Sequence, residues 1–162
     1  MEWIAAIAAA LNVFFVASLL GLAYVRTRGM EKHRKFQEVL TIFKELKSPE
    51  IIGARRYIYE NFPESIEELS KEQLKAHLQK AEPAFIIFDR IGYWIDRGHI
   101  DPDPLIENYW ALIWRSWQKS KNLINWARDQ RGQKNSLGGF EDLFKLAESY
   151  RVENKLPGPK FF

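Results

Sequence analysis

Residues Trp3 to Val25, WIAAIAAALNVFFVASLLGLAYV, carry no charge. Nothing else in the chain restricts its folding as much. Wound as a helix, the run is roughly 34 Å long at about 1.5 Å per residue, against a hydrocarbon thickness of about 30 Å. Trp3 and Tyr24 stand at its ends, where amphipathic rings suit the headgroup level. A cleavable signal peptide needs a basic start and a short apolar centre, whereas this chain opens Met1-Glu2-Trp3. A core helix with no polar face needs more surrounding protein than 162 residues supply. The run therefore predicts an N-terminal transmembrane helix.

Orientation follows from the flanks. Arg26, Arg28, Lys32, Arg34 and Lys35 follow the run, and no basic side chain precedes it. By the positive-inside rule the N-terminus faces out and the remainder is cytoplasmic, which predicts a single-pass protein of a bacterial inner membrane. The same basic residues supply much of the formal net charge of +3 and would contact anionic lipid headgroups, making the bilayer the first expected partner. Ala6, Ala10, Ala17 and Gly21 fall on one stripe of the helix. Small residues let two helices approach, so this stripe predicts self-association or a membrane-protein partner. The absence of cysteine agrees with a reducing compartment and removes thiolate chemistry. The expected organisation is a membrane segment with its basic collar over 1–29, a helical domain over 30–154 and an extended tail over 155–162.

Beyond the run the pattern is helical throughout, giving an all-α expectation: one transmembrane helix followed by a small cytoplasmic bundle. Phe36, Val39, Leu40, Phe43 and Leu46 repeat at helical spacing. Ser48-Pro49-Glu50 reads as an N-cap, a first-turn proline and an acid. Ser70 and Gln73 have capping-box spacing. That helix is expected to run to about Glu82, with Pro83 starting a new or kinked segment through Arg97. Gly98 then supplies a left-handed cap. Ile106, Trp110, Ile113, Trp117, Ser120, Ile124, Ala127 and Arg131 alternate by four and three, which predicts one long helix over about 104–131. A last amphipathic helix carries Phe140, Leu143, Phe144, Ala147 and Tyr150. Six tryptophans and eleven phenylalanines imply a core of large rings. Trp110, Trp114 and Trp117 either join that core or form a docking face for a partner.

The stretch IFDRIGYWIDRGHIDPDP concentrates Asp89, Asp96, Asp101, Asp103 and His99. Asp101 and Asp103 each precede a proline, the pattern of a helix start. A calcium loop starting at Asp101 fails, because Leu105 and Leu112 occupy ligand positions. Asp89 and Asp96 lie two turns apart on one stripe, about 10.5 Å between Cα atoms, too far to share one metal ion. Arg55 falls in the middle of an apolar arc and needs either a carboxylate or a route to solvent. The expected structural ion pair is Arg55 with Asp89, and Asp96 as second choice.

The segments SPEIIGARRYIYENFP, FDRIGYWIDRGHID and ENYWALIWRSWQKSKNLINWAR together resemble a group of small bacterial single-span membrane proteins of unknown function. The resemblance covers about Phe36 to Arg131. It implies an N-terminal membrane helix, a compact cytoplasmic helical domain, and framework roles for Arg55, Asp89 and Trp117. It carries no activity to transfer.

His33, His77 and His99 are scattered, and neither a glycine-rich phosphate loop nor an HExxH motif is present. No cofactor or metal is expected. The leading expectation is a non-enzymatic, membrane-anchored interaction module: an accessory, assembly or scaffolding subunit of an inner-membrane complex. The alternative is a membrane-tethered hydrolase using Asp89, Asp96 and Glu107. Nucleic-acid binding through Arg115, Lys119, Lys121, Arg128 and Arg131 is disfavoured, because basic residues along a long helix more often form a solvated face.

Overall fold

The computed structural model describes residues 18–24, 26, 30, 34–63 and 65–159. Among these all regular structure is helical. Contacts divide the chain into two compact units, Met1–Gln37 and Glu38–Phe162.

In the first unit, residues 18–24 and 34–37 are helical. Among the described residues no helix is long and apolar enough to cross a membrane. The described residues that follow 18–24 include Arg26, Arg34 and Lys35. The single-pass inner-membrane placement is therefore withdrawn, together with the transmembrane helix on which it rested. Ala6, Ala10, Ala17, Arg28 and Lys32 lie outside the described residues. Gly21 is exposed, with nothing within 4 Å of where a Cβ would stand.

The second unit begins with helical residues 38–46 (α1), which bury Val39, Ile42 and Leu46. Helix α2, Pro49–Asn61, starts where the Ser48 hydroxyl accepts the Ile51 N–H. It stops at Phe62, ahead of Pro63, which cannot continue a helix. Helix α3, Lys71–Asp96, opens with the expected capping box: Ser70 Oγ accepts the Gln73 N–H at 3.2 Å, and Gln73 Oε1 accepts the Ser70 N–H at 2.8 Å. Helix α4, Pro102–Arg131, is the long helix, capped by Asp101 and closed by a left-handed Gly132. Helix α5 spans Gly138–Glu153.

Pro83 does not divide α3, which runs through it for 26 residues. Proline removes one backbone hydrogen bond and crowds the preceding turn. Here Ala81, Ala84 and Phe85 on both sides are buried, and that packing holds the two halves in line.

Helix α5 forms the centre, touching α3 and α4 more extensively than those two touch each other, while α2 packs on both. Arg90 on α3 pairs with Glu45 on α1. Phe140 is wholly buried. Its ring lies 4.7 Å from that of Phe88, 5.1 Å from Trp117 and 6.0 Å from Phe85. The rings continue through Phe62 to His77 and Tyr57.

At that end Tyr57 Oη and His77 Nδ1 are 2.9 Å apart. Burial and, secondarily, the Lys80 ammonium push the His77 pKa below its ordinary value, about 6.5. The folded state thus takes up the imidazole proton less readily than the unfolded chain does. This group's contribution is present above about pH 6.5 and is lost as pH falls through the lowered folded pKa. Melting temperatures of the native chain and His77→Gln should therefore converge on acidification from pH 7.5 to 5. Parallel curves would show that His77 does not contribute to the acid sensitivity.

Candidate functional site

The aspartates divide into local and long-range roles. Asp101 Oδ1 accepts the Asp103 N–H at 3.2 Å, and Asp103 sits in the first turn of α4. Gly98, at φ 68°, closes α3: its N–H reaches Ile95 O, and the His99 N–H reaches Trp94 O. His99 and Asp96 are exposed, and Asp96 has a surface contact at 4.0 Å to its neighbour Arg97.

Asp89 acts across the fold. Its Oδ1 accepts the Phe140 N–H at 3.2 Å. Helix α5 has no capping side chain of its own, since Leu137 holds the cap position at φ 57°. Its first N–H groups need acceptors, and α3 lends one. The approach is close because Gly92 faces Gly139: a Cβ on Gly92 would stand 1.8 Å from Gly139 O, and one on Gly139 2.2 Å from Asp89 O. Asp89→Ala should destabilise the domain by about 1 kcal/mol, with Asp89→Asn nearly neutral, as read by urea denaturation. Equal losses in the two variants would exclude the cap.

The expected Arg55–Asp89 pair is absent, and Asp96 does not replace it. Asp89 is turned toward the α5 terminus. Arg55 lies beside Leu112 and Arg115 of α4, with Nε and Nη1 shut from solvent and without a hydrogen-bond partner. Burial lowers its pKa, opposed by the nearby Tyr59 and Tyr109 hydroxyls. Arg55 lines a depression of about 350 Å³ together with Arg56, Arg115, Tyr59 and Leu112. Tyr59 is fixed there by Ser116 Oγ at 2.9 Å and by Leu112 O at 3.3 Å. The Arg115 guanidinium lies 5.9 Å from the Tyr59 ring. Sequence reasoning did not bring Arg56, Arg115 and Tyr59 to Arg55. The available signal was a cation in the apolar arc of one helix and a second cation on the long helix α4.

Asp89 and Asp96 do share a depression of about 470 Å³, with Asp142, Arg90 and Tyr93. Glu107 is not in its lining and is exposed on α4, so the three acids of the hydrolase reading do not converge. Among the described residues no three histidine, aspartate or glutamate side chains are placed to hold a metal ion.

The tryptophans of α4 pack toward α5. Trp117 is buried, stacked on Phe144 at 5.7 Å. Half-buried Trp110 lies 6.5 Å from Tyr150. The indole N–H of Trp114, also half-buried, donates to Glu148 Oε2 at 2.6 Å. The Glu148 carboxyl is held below its usual range by hydrogen bonding to Arg151, with a smaller contribution from Trp114. Among the basic residues of α4, Arg128 is only 12% exposed and pairs with Glu141 at 2.9 Å. Its Nε donates to Ser136 O.

No family model matches the chain, and no curated protein or solved structure matches it. The resemblance to small single-span membrane proteins is withdrawn with the membrane placement. The three segments that suggested it hold helix caps and core-facing stripes, which helical bundles of many origins share.

Proposed function

We propose that this chain is a non-enzymatic helical interaction module that acts as an accessory or scaffolding subunit. The observation that carries the reading is an exposed apolar line on α3. Ile86 is 54% and Tyr93 51% exposed, seven residues apart and so about 10.5 Å apart along one face. Ile86 lines depressions of about 410 and 470 Å³. Ridges between hollows are the form into which the side chains of a second helix interlock. Asp96 and Asp142 line one hollow, so the fitting partner is an amphipathic helix with two apolar residues seven apart and a basic residue beside them.

A photo-crosslinking residue at position 86, introduced in the native cells, should give one discrete protein adduct that Tyr93→Glu abolishes. The same residue at exposed position 72 should give none. Absence of a specific adduct at position 86 would overturn the reading.

A further inference from the structure

Past α5 the chain turns back onto the bundle. Lys155 takes a left-handed φ of 52°, the Leu156 N–H reaches Arg151 O at 2.9 Å and the Lys155 N–H reaches Val152 O at 3.1 Å. Those two bonds are the paired closure of a helix end, usually built on glycine. A lysine keeps that conformation only where its surroundings over-determine it. Arg151 supplies a further tie: its Nη1 donates to Leu156 O at 3.3 Å, while its Nε and Nη2 hold Glu148 at 2.8 and 2.7 Å. Glu148 in turn accepts the Trp114 indole N–H. Beyond the turn the chain passes that indole, and a Cβ on Gly158 would stand in ordinary contact, 3.9 Å from Trp114 Cη2.

Residues 156–159, Leu-Pro-Gly-Pro, are not helical, and Gly158 does not take a positive φ. Leu156 and Pro159 are half-buried, whereas Pro157 and Gly158 between them are exposed. Burial at every third residue is the period of a polyproline helix. We infer that the Trp114 edge, framed by Glu148 and Arg151, is a recognition surface for an extended Leu-Pro-x-Pro segment, which the chain's own tail occupies and a partner's segment of the same pattern displaces. Aromatic surfaces take proline-rich segments because these are extended before binding and lose little entropy on docking. The tethered tail competes at an effective concentration on the order of millimolar, so it acts as an internal cover. The surface is built by α4 and α5, not by the Ile86–Tyr93 line of α3, and stands or falls separately from it.

Calorimetric titration and nitrogen-edited NMR of the full chain test it, with acetyl-KLPGPK-amide, the sequence of residues 155–160, as the probe. In the double variant Pro157→Gly, Pro159→Gly the loosened tail gives up the surface, and the peptide should bind with a dissociation constant below about 1 mM. Neither proline belongs to a helix, so the bundle keeps its fold. The native chain should bind the peptide about fivefold more weakly, because its own tail is in place. The Trp114 indole N–H resonance, assigned by its disappearance in Trp114→Phe, should shift during the titration. Acetyl-KLGGGK-amide, which lacks the prolines, should bind about tenfold more weakly than the proline peptide. No binding to the double variant, equal affinity of the two chains, a stationary Trp114 resonance, or equal affinity of the two peptides would each overturn the proposal.

Discussion

Gly92→Ala should destabilise the domain by about 4 kcal/mol or more, enough to leave much of it unfolded under native conditions. The added methyl group would meet Gly139 O at 1.8 Å, with the Gly139 carbonyl carbon at 2.4 Å. Both are backbone atoms, so no rotamer change relieves the overlap. Helices α3 and α5 would have to separate by more than an ångström, loosening Phe140, Leu143 and Ala147 in the core and lengthening the Asp89–Phe140 bond. Gly53 in α2 is the control, since nothing lies within 4 Å of its Cβ position. Gly53→Ala should gain about 0.5–1 kcal/mol from helix propensity alone. Urea denaturation of the two variants measures both. A loss below about 1 kcal/mol for Gly92→Ala would mean that the two helices do not cross in contact.

The second large effect is Phe140→Ala, with an expected cost of about 3–5 kcal/mol. Phe140 is wholly buried and bridges rings from α3 and α4: Phe88 and Phe85 on one side, Trp117 on the other. Truncation leaves a cavity that three helices must collapse to fill. Trp117 contacts Phe140 edge-on at 5.1 Å, so near-ultraviolet circular dichroism from the indole should weaken in whatever folded fraction remains. Phe140→Leu retains most of the volume and should cost about half as much. Equal stabilities for the native chain and Phe140→Ala would remove α5 from the centre of the fold.

The sequence made the helices legible because their signals are local. Ser48, the Ser70–Gln73 box, Asp101 and Gly98 each mark a boundary through bonds within a few residues. The alternation from Ile106 to Arg131 predicted a continuous α4, which the structure contains. Pro83 was misleading for the same reason: the local rule stops a helix, while burial of Ala81, Ala84 and Phe85 keeps α3 intact. Residues 3–25 were read from composition alone, and the described part of that stretch does not carry a membrane-spanning helix.

Asp89 marks where local reading ends. Its position beside an apolar stripe was visible, and a buried arginine was the natural partner to seek. The acceptor-starved terminus of α5, 51 residues away in sequence, became its partner only when the Gly92–Gly139 crossing brought two backbones together. The same holds for Trp117, whose place against α5 depends on how α4 meets that helix. Caps and periodicities arise from interactions between residues one to four apart, so this chain declares them along its length. Which face meets which, and where Arg55, Arg56 and Arg115 gather, depends on packing among distant segments, and only the tertiary structure decides that.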